Sequence, residues 1–385
     1  MVELRRERTD AIAFVDSEGE RTELSTRQRD VFWGGLNFAS QRAIQVAPDG
    51  STLAFVDLGS GVLHVRDKQR TLYSVPIAIG GDVRYSPDTR WIAAQVAQSR
   101  KRPLGQRAAG VVIVDATTGQ TQRHVAMTRV RWLEWIADGL VVLHKDGKRD
   151  ALTLVGHDGS FRRLVTSRTT IRRFAASPLA NTIAWFADPT LRNKRRRPAK
   201  LVVRLMDVSE PELKPRVVGE TKGFRNNAEI APDGSTLAWA AADGVYLAEN
   251  GGLRLLEKGK GMHSVWFSRD GALAWANRNH IGYFRDGTVT KHISRRPIRT
   301  MRLRRDKPGV VFVVSHKLHT WSPGDRDSKR VGQPASGHKL VSGDLFAGGV
   351  VLWQTKTVHS RRRPWRKSRP WRKMKQVNAK QRLLL

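Results

Sequence analysis

The chain has 385 residues, with 69 Lys or Arg against 35 Asp or Glu and a formal charge of +34 at neutral pH. That excess points to a polyanionic or acidic partner, while zero cysteines exclude disulfides, thiolate metal sites and a cysteine nucleophile. The opening MVELRRERTD lacks the apolar stretch of a signal peptide and no window is apolar enough for a transmembrane span, so a cytoplasmic location is expected.

In chain order, DAIAFVDSEGERTELS (10–25) reads first, as a strand, a tight polar turn and a second strand. One turn then recurs: APDGSTLAF (47–55), YSPDTRWIAA (85–94), WIADGLVVL (135–143), SPLANTIAW (177–185), APDGSTLAW (231–239), SRDGALAW (268–275), RRDKPGVVFV (304–313) and SGDLFAGGVVL (342–352). Pro is preset for the first corner of such a turn, Asp tolerates the second and Gly suits the exit. A third apolar run follows each copy (GVLHV, GVVIV, KLVVRL, GVYLA), then a polar turn and a fourth, more polar run (RTLYSV, FRRLV, LRLLE, TKHIS). Self-similarity at about 40 residues is the period of a β-propeller, each unit a four-stranded blade with its fourth strand outermost.

Eight turns predict eight blades, or seven if one degenerate copy is a false match. HKLVSGDLFAGGVVLWQTKTVHS (338–360) supplies only two strands of the last blade. The N-terminal pair is expected to complete it, which removes an open sheet edge. The predicted organisation is all-β, a single propeller over residues 1–358 with a basic tail over 359–385.

Asp49, Asp88, Asp233 and Asp270 look like a catalytic series, but they stand where turns favour Asp and are read as turn chemistry. Trp185, Trp239 and Trp275 are read as core between blades. The SPDG-type turn with its following A-[FW] run resembles the WD-repeat-like propeller repeats of the TolB family, over about residues 11–358. The resemblance implies the fold and is nearly silent on function. There is no Trp-Asp dipeptide and no export signal of the kind TolB carries. An Asp-box of the sialidase type needs Gly two residues after its Asp, whereas Gly271 directly follows Asp270.

By parity, the connections after the second and fourth strands of a meander emerge at one end, here called the top, and the repeat turns lie at the bottom. Two enlarged top connections are basic: 97–109, with Arg100, Lys101 and Arg102, and 188–200, with Lys194, Arg195, Arg196 and Arg197. Connections after fourth strands add Arg295, Arg296 and Arg299, then Arg168, Arg172 and Arg173, then Lys222 and Arg225. The bottom turns carry Asp49, Asp88, Asp158, Asp233, Asp270, Asp286, Asp325 and Asp327. A basic top and a more acidic bottom are therefore expected.

The tail holds the tandem hexapeptides RPWRKS (363–368) and RPWRKM (369–374), and eleven Lys or Arg with no acid between His359 and Leu385. Two prolines and dense like charge predict disorder in isolation. Arg361, Arg362, Arg363, Arg366, Lys367, Arg369, Arg372, Lys373 and Lys375 are candidates to neutralise phosphates. Trp365 and Trp371 are candidates to stack on unpaired bases. The expected ligand is RNA or another single-stranded nucleic acid, ribosomal RNA included. An acidic protein partner is the alternative, and an anionic membrane surface, which Leu383, Leu384 and Leu385 would suit, is a further one.

No G-x-S-x-G elbow, P-loop or G-x-G-x-x-G occurs, and the closest histidines, His316 and His319, have no carboxylate nearby in sequence. A non-enzymatic, monomeric scaffold without metal or cofactor is expected, with an enzyme site in the central channel as the weaker reading.

Overall fold

A computed structural model describes residues 4–30, 44–56, 62–67, 70–76, 82–96, 109–189, 200–222, 227–304, 307–346 and 349–361. Regular structure among them is entirely strand. The chain opens with β1 (Leu4–Val15) and β2 (Arg21–Asp30). Seven complete four-strand units follow. Blade 1 is β3 (Ile44–Val46), β4 (Leu53–Val56), β5 (Val62–Arg66) and β6 (Thr71–Pro76); blade 2 is β7 (Val83–Tyr85), β8 (Trp91–Val96), β9 (Gly110–Asp115) and β10 (Thr121–Ala126). Blade 3 is β11 (Thr128–Ile136), β12 (Gly139–Asp146), β13 (Arg149–Gly156) and β14 (Phe161–Ser167); blade 4 is β15 (Ile171–Ala176), β16 (Thr182–Ala187), β17 (Lys200–Asp207) and β18 (Arg216–Lys222). Blade 5 is β19 (Ala228–Ile230), β20 (Thr236–Ala240), β21 (Gly244–Glu249) and β22 (Gly252–Lys258); blade 6 is β23 (Ser264–Phe267), β24 (Leu273–Ala276), β25 (His280–Arg285) and β26 (Thr288–Ile293). Blade 7 is β27 (Ile298–Leu303), β28 (Val310–Val314), β29 (Lys317–Trp321) and β30 (Lys329–Gly332). The last two strands are β31 (Lys339–Phe346) and β32 (Gly349–Arg361).

Every blade is an antiparallel meander, and the eighth has the order β2-β1-β32-β31. Both chain ends therefore share blade 8, as the unmatched N-terminal strands imply. The innermost strands touch in sequence around the ring, from β3 through β7, β11, β15, β19, β23 and β27 to β31, and β31 meets β3 again. The result is a closed eight-bladed propeller.

Burial explains the closure. Among the described residues the buried apolar side chains form eight clusters, each bridging two neighbouring blades, as with Ile12 and Phe14 of blade 8 against Val46, Leu53 and Phe55 of blade 1. Trp185, Trp239 and Trp275 all lie in such interfaces and are buried. Truncating one to Ala removes both transfer energy and packing, at roughly 3–5 kcal/mol.

The repeat turns are self-contained. The Asp49 carboxylate accepts the Ser51 N–H at 2.9 Å, and Asp233 accepts that of Ser235 at 3.0 Å. Gly234 has φ +80°, and a Cβ there would come within 2.5 Å of Thr182 Oγ1 in the preceding blade. Only glycine gives that turn its handedness and lets the next blade approach so closely.

Blade 8 departs from the repeat at the top. β32 pairs with β31 only up to Lys339↔Thr355, yet stays paired with β1 to Leu4↔Arg361. β2 accompanies β1 to Glu7↔Asp30. A ribbon thus continues beyond β31 for residues 356–361, about 20 Å at ~3.4 Å per residue. Strand β32 also runs past residue 358 into the first residues assigned to the tail.

Candidate binding face and central channel

The top connections carry long cations with little structural duty. Lys148, Arg168, Lys260, Arg278, Arg295 and Arg296 are all exposed. Arg295 and Arg296 sit between β26 and β27, where Ser294 Oγ donates to the Arg296 carbonyl at 2.7 Å and fixes the bend. Arg296 Nη1 donates to Ser315 Oγ of the next blade at 3.2 Å, and Arg295 beside it is exposed. Arg361 is the last residue of β32, opposite Leu4. The remaining candidates lie outside the described residues: Arg100, Lys101, Arg102, Lys194, Arg195, Arg196, Arg197, Arg225 and the tail from Arg362 onward, Trp365 and Trp371 included.

Two expected members of the basic face are drawn inward instead. Arg172 makes a two-point ion pair with Asp188, Nε to Oδ1 at 2.8 Å and Nη2 to Oδ2 at 2.9 Å. Arg173 is 8% exposed, its guanidinium 3.7 Å from the Trp132 ring centroid. Burial lowers its pKa to about 10, opposed by the charges of Glu229 and Glu134. Two acids at the top, Asp150 and Glu257, are likewise engaged. Asp150 binds Arg131 at 2.6 Å and Lys145 at 2.5 Å and accepts the Ile171 N–H at 2.8 Å, tying blade 3 to blade 4. Glu257 accepts from Trp275 Nε1 at 2.7 Å and contacts His280 and Lys291.

Sequence reading missed the inner rim of the ring. Gln45, Arg84, Glu134, Glu229, Trp266, Arg302 and Asp344 occupy one register level, each opposite an Ala or Val of its second strand. Several of them clasp the next blade. Gln45 Oε1 accepts the Tyr85 N–H at 3.1 Å, Arg84 Nε donates to Glu134 Oε2 at 3.2 Å, and Arg302 Nη1 donates to Asp344 Oδ2 at 3.2 Å. Arg84 also pairs with Asp82 at 3.3 Å. Burial pulls the Arg84 pKa down, but Asp82 and Glu134 outweigh it and the pKa rises. The signal was present in the repeats as a polar residue four before the turn Asp, in IQVAPD, VRYSPD and AEIAPD.

Chemically, this rim joins blades through the ion pairs Arg84–Glu134 and Arg302–Asp344 and through hydrogen bonds such as Gln45–Tyr85. Its Asp82, Glu134 and Asp344 carboxylates are held by guanidinium groups, a poor state for a general base. Among the described residues, no group of three or more His, Asp or Glu side chains is placed to hold a metal ion, and no helix is long and apolar enough to cross a membrane.

No protein-family model and no curated sequence matches the chain. Solved structures do resemble it. The crystal structure of a eukaryotic initiation factor aligns over 86% of this chain and 89% of that one, with 13% identity and TM-score 0.50. Dipeptidyl peptidase 4 of Porphyromonas gingivalis aligns over 80% of this chain and 55% of that one, with 12% identity and TM-score 0.52. The Cps50 (Swd1) β-propeller domain of Myceliophteria thermophila aligns over 70% and 94%, with 14% identity and TM-score 0.45. At such identities the likeness concerns the fold alone, which hosts unrelated functions. The resemblance to TolB-type repeats extends no further than the propeller.

Proposed function

We propose that the protein is a non-enzymatic binding scaffold whose basic top face engages a polyanion, namely RNA or another single-stranded nucleic acid. The carrying observation is the excess of exposed cations over exposed acids in the top connections. Lys148, Arg168, Lys260, Arg278, Arg295 and Arg296 are exposed there against Asp146 and Asp243, whereas the bottom turns mix Asp49, Asp88, Asp158, Asp233 and Asp270 with exposed Arg70, Arg90, Arg269 and Lys307. Cations neutralise phosphates and release counterions, so such a face yields salt-sensitive affinity. The sequence adds the tail, whose arginines and two tryptophans suit phosphates and unpaired bases.

A rim patch favours a second reading, a protein-docking platform. Val217 of β18 is 64% exposed, and Leu253 and Leu255 of the neighbouring β22 are 42% and 44% exposed. The two readings part on nuclease-treated, full-length protein titrated into labelled single-stranded RNA and duplex DNA at several salt concentrations. The scaffold reading expects tighter binding to the single strand and steep weakening with salt. Weak, shallow binding to both would overturn it in favour of a protein partner.

A further inference from the structure

Burying a charge without a hydrogen-bonded partner destabilises a fold, so each such group calls for a physical reason. Arg173 is one. It stands on β15, the innermost strand of blade 4, where the register against β16 slips between Ile171↔Ala187 and Arg173↔Phe186, leaving Arg172 as an extra residue. A bulge of this kind re-aims the side chains beside it. Arg172 finds Asp188, whereas Arg173 turns to the Trp132 ring of blade 3, and its Nε has no hydrogen-bond partner. The charges that act on Arg173 belong to Glu229 of blade 5, Glu134 of blade 3, and Arg84 and Asp82 of blade 2. A group within range of innermost strands from four successive blades lies on the channel side of the ring.

We propose that Arg173 anchors an oxyanion site at the top of the central channel, one that takes the carboxylate of a small molecule. The acids nearest to it are engaged with other groups. Glu134 accepts from Trp132 Nε1 at 2.8 Å and from Arg84 Nε at 3.2 Å, and Asp82 pairs with Arg84 at 3.3 Å. The Trp132–Glu134 bond fixes the indole, and stacking on the indole fixes the guanidinium while its in-plane N–H fork faces away from the ring. That fork matches the two oxygens of a carboxylate. Net charge selects against a phosphate dianion, because Asp82, Glu134 and Glu229 outnumber Arg84 around the guanidinium. Blade 4 also leaves room below it. Ala175, two residues on and opposite Ala184, holds the rim level at which every other blade carries a polar or aromatic side chain. Arg173 is 8% exposed, so the site admits a small group and is separate from the open face of the scaffold reading.

The test is thermal melting of the full chain in sodium acetate or sodium phosphate against sodium chloride at equal ionic strength. It compares the wild type with Arg173→Met, which keeps a long side chain on Trp132 without the charge, and with Arg295→Met on the open face. Arg173→Gln serves should the methionine perturb folding. Acetate at about ten times its dissociation constant should raise the wild-type melting temperature by about 2 °C over chloride. Arg295→Met should keep that shift and Arg173→Met should lose it. In chloride, Arg173→Met should melt no lower than the wild type, since it removes a buried charge without an acid beside it. An equal acetate shift in both variants would mean an adventitious ion only, and no shift in the wild type would likewise overturn the site. A larger shift in phosphate, lost with Arg173, would overturn the carboxylate assignment. Melting several degrees lower for both Arg173 variants in chloride would make the stack on Trp132 structural and overturn the proposal. RNA binding is read in none of these arms, so the scaffold reading stands or falls separately.

Discussion

The bottom turns and the top connections of this ring use charge in opposite ways. At the bottom, carboxylates face their own backbone: Asp49, Asp88, Asp158 and Asp233 each accept the N–H two residues on. At the top, the acids Asp150 and Asp188 are buried and ion-paired, while Arg168, Lys260, Arg278 and Arg295 stand exposed. Acid in the bottom turns is architectural, whereas much of the base in the top connections is exposed and is what the proposed scaffold would offer a polyanion.

The sharpest way to break that contrast is to remove a structural acid from the top. Asp150→Ala should cost about 3–5 kcal/mol by urea unfolding, since it strands Arg131 and Lys145 beside a buried site. A cost below about 1 kcal/mol would mean the top acids are as dispensable as ordinary surface groups.

Next comes pH. Burial lowers the pKa of His144, His263, His292 and His319, so each is held neutral in the fold. Their contribution is complete above the unfolded value near 6.5 and is lost as pH falls below it. Asp115, Asp158 and Asp270 have pKa values lowered chiefly by hydrogen bonds from Thr118, Ser160 and Ser268 respectively. Their contribution is present above about pH 4 and fades below it. Melting temperature should therefore drop as pH falls below about 6.5 and again below about 4, and His263→Asn should shrink the first step alone. A profile without the first step would contradict the buried-histidine account.

Smaller still is a single bottom turn. Asp233→Ala removes the bonds to Ser235 N–H and Oγ and should cost about 0.5–1.5 kcal/mol, with RNA affinity untouched. The mirror-image change, Arg295→Gln, should move stability by less than about 0.5 kcal/mol and act on binding. If the two substitutions exchanged these effects, the division between architectural acid and surplus base would fail.

Much of the fold was legible because the turn spells out its own geometry. PDG fixes the corner, the apolar run after it fixes the second strand, and the surplus strands at both ends imply shared closure of blade 8. The inner rim was harder. Arg84 meets Glu134 and Arg302 meets Asp344 only because neighbouring blades bring together residues some forty to fifty positions apart. The ribbon was hidden for another reason. Strand signals rest on apolar alternation, and RRERT or KTVHS alternates cations and small polar groups instead. Arg172 and Arg173 were assigned to the open face because a count of basic residues cannot see Asp188 or Trp132 beside them.

The most direct measurement is the salt dependence of single-stranded RNA binding for the full chain and for a chain ending at Arg361, where β32 stops. If the tail contacts about five phosphates, truncation should flatten the log–log slope by roughly 3.5 while the ring retains residual, salt-sensitive affinity. Weak and shallow binding that is the same for both forms would contradict a polyanion-binding face.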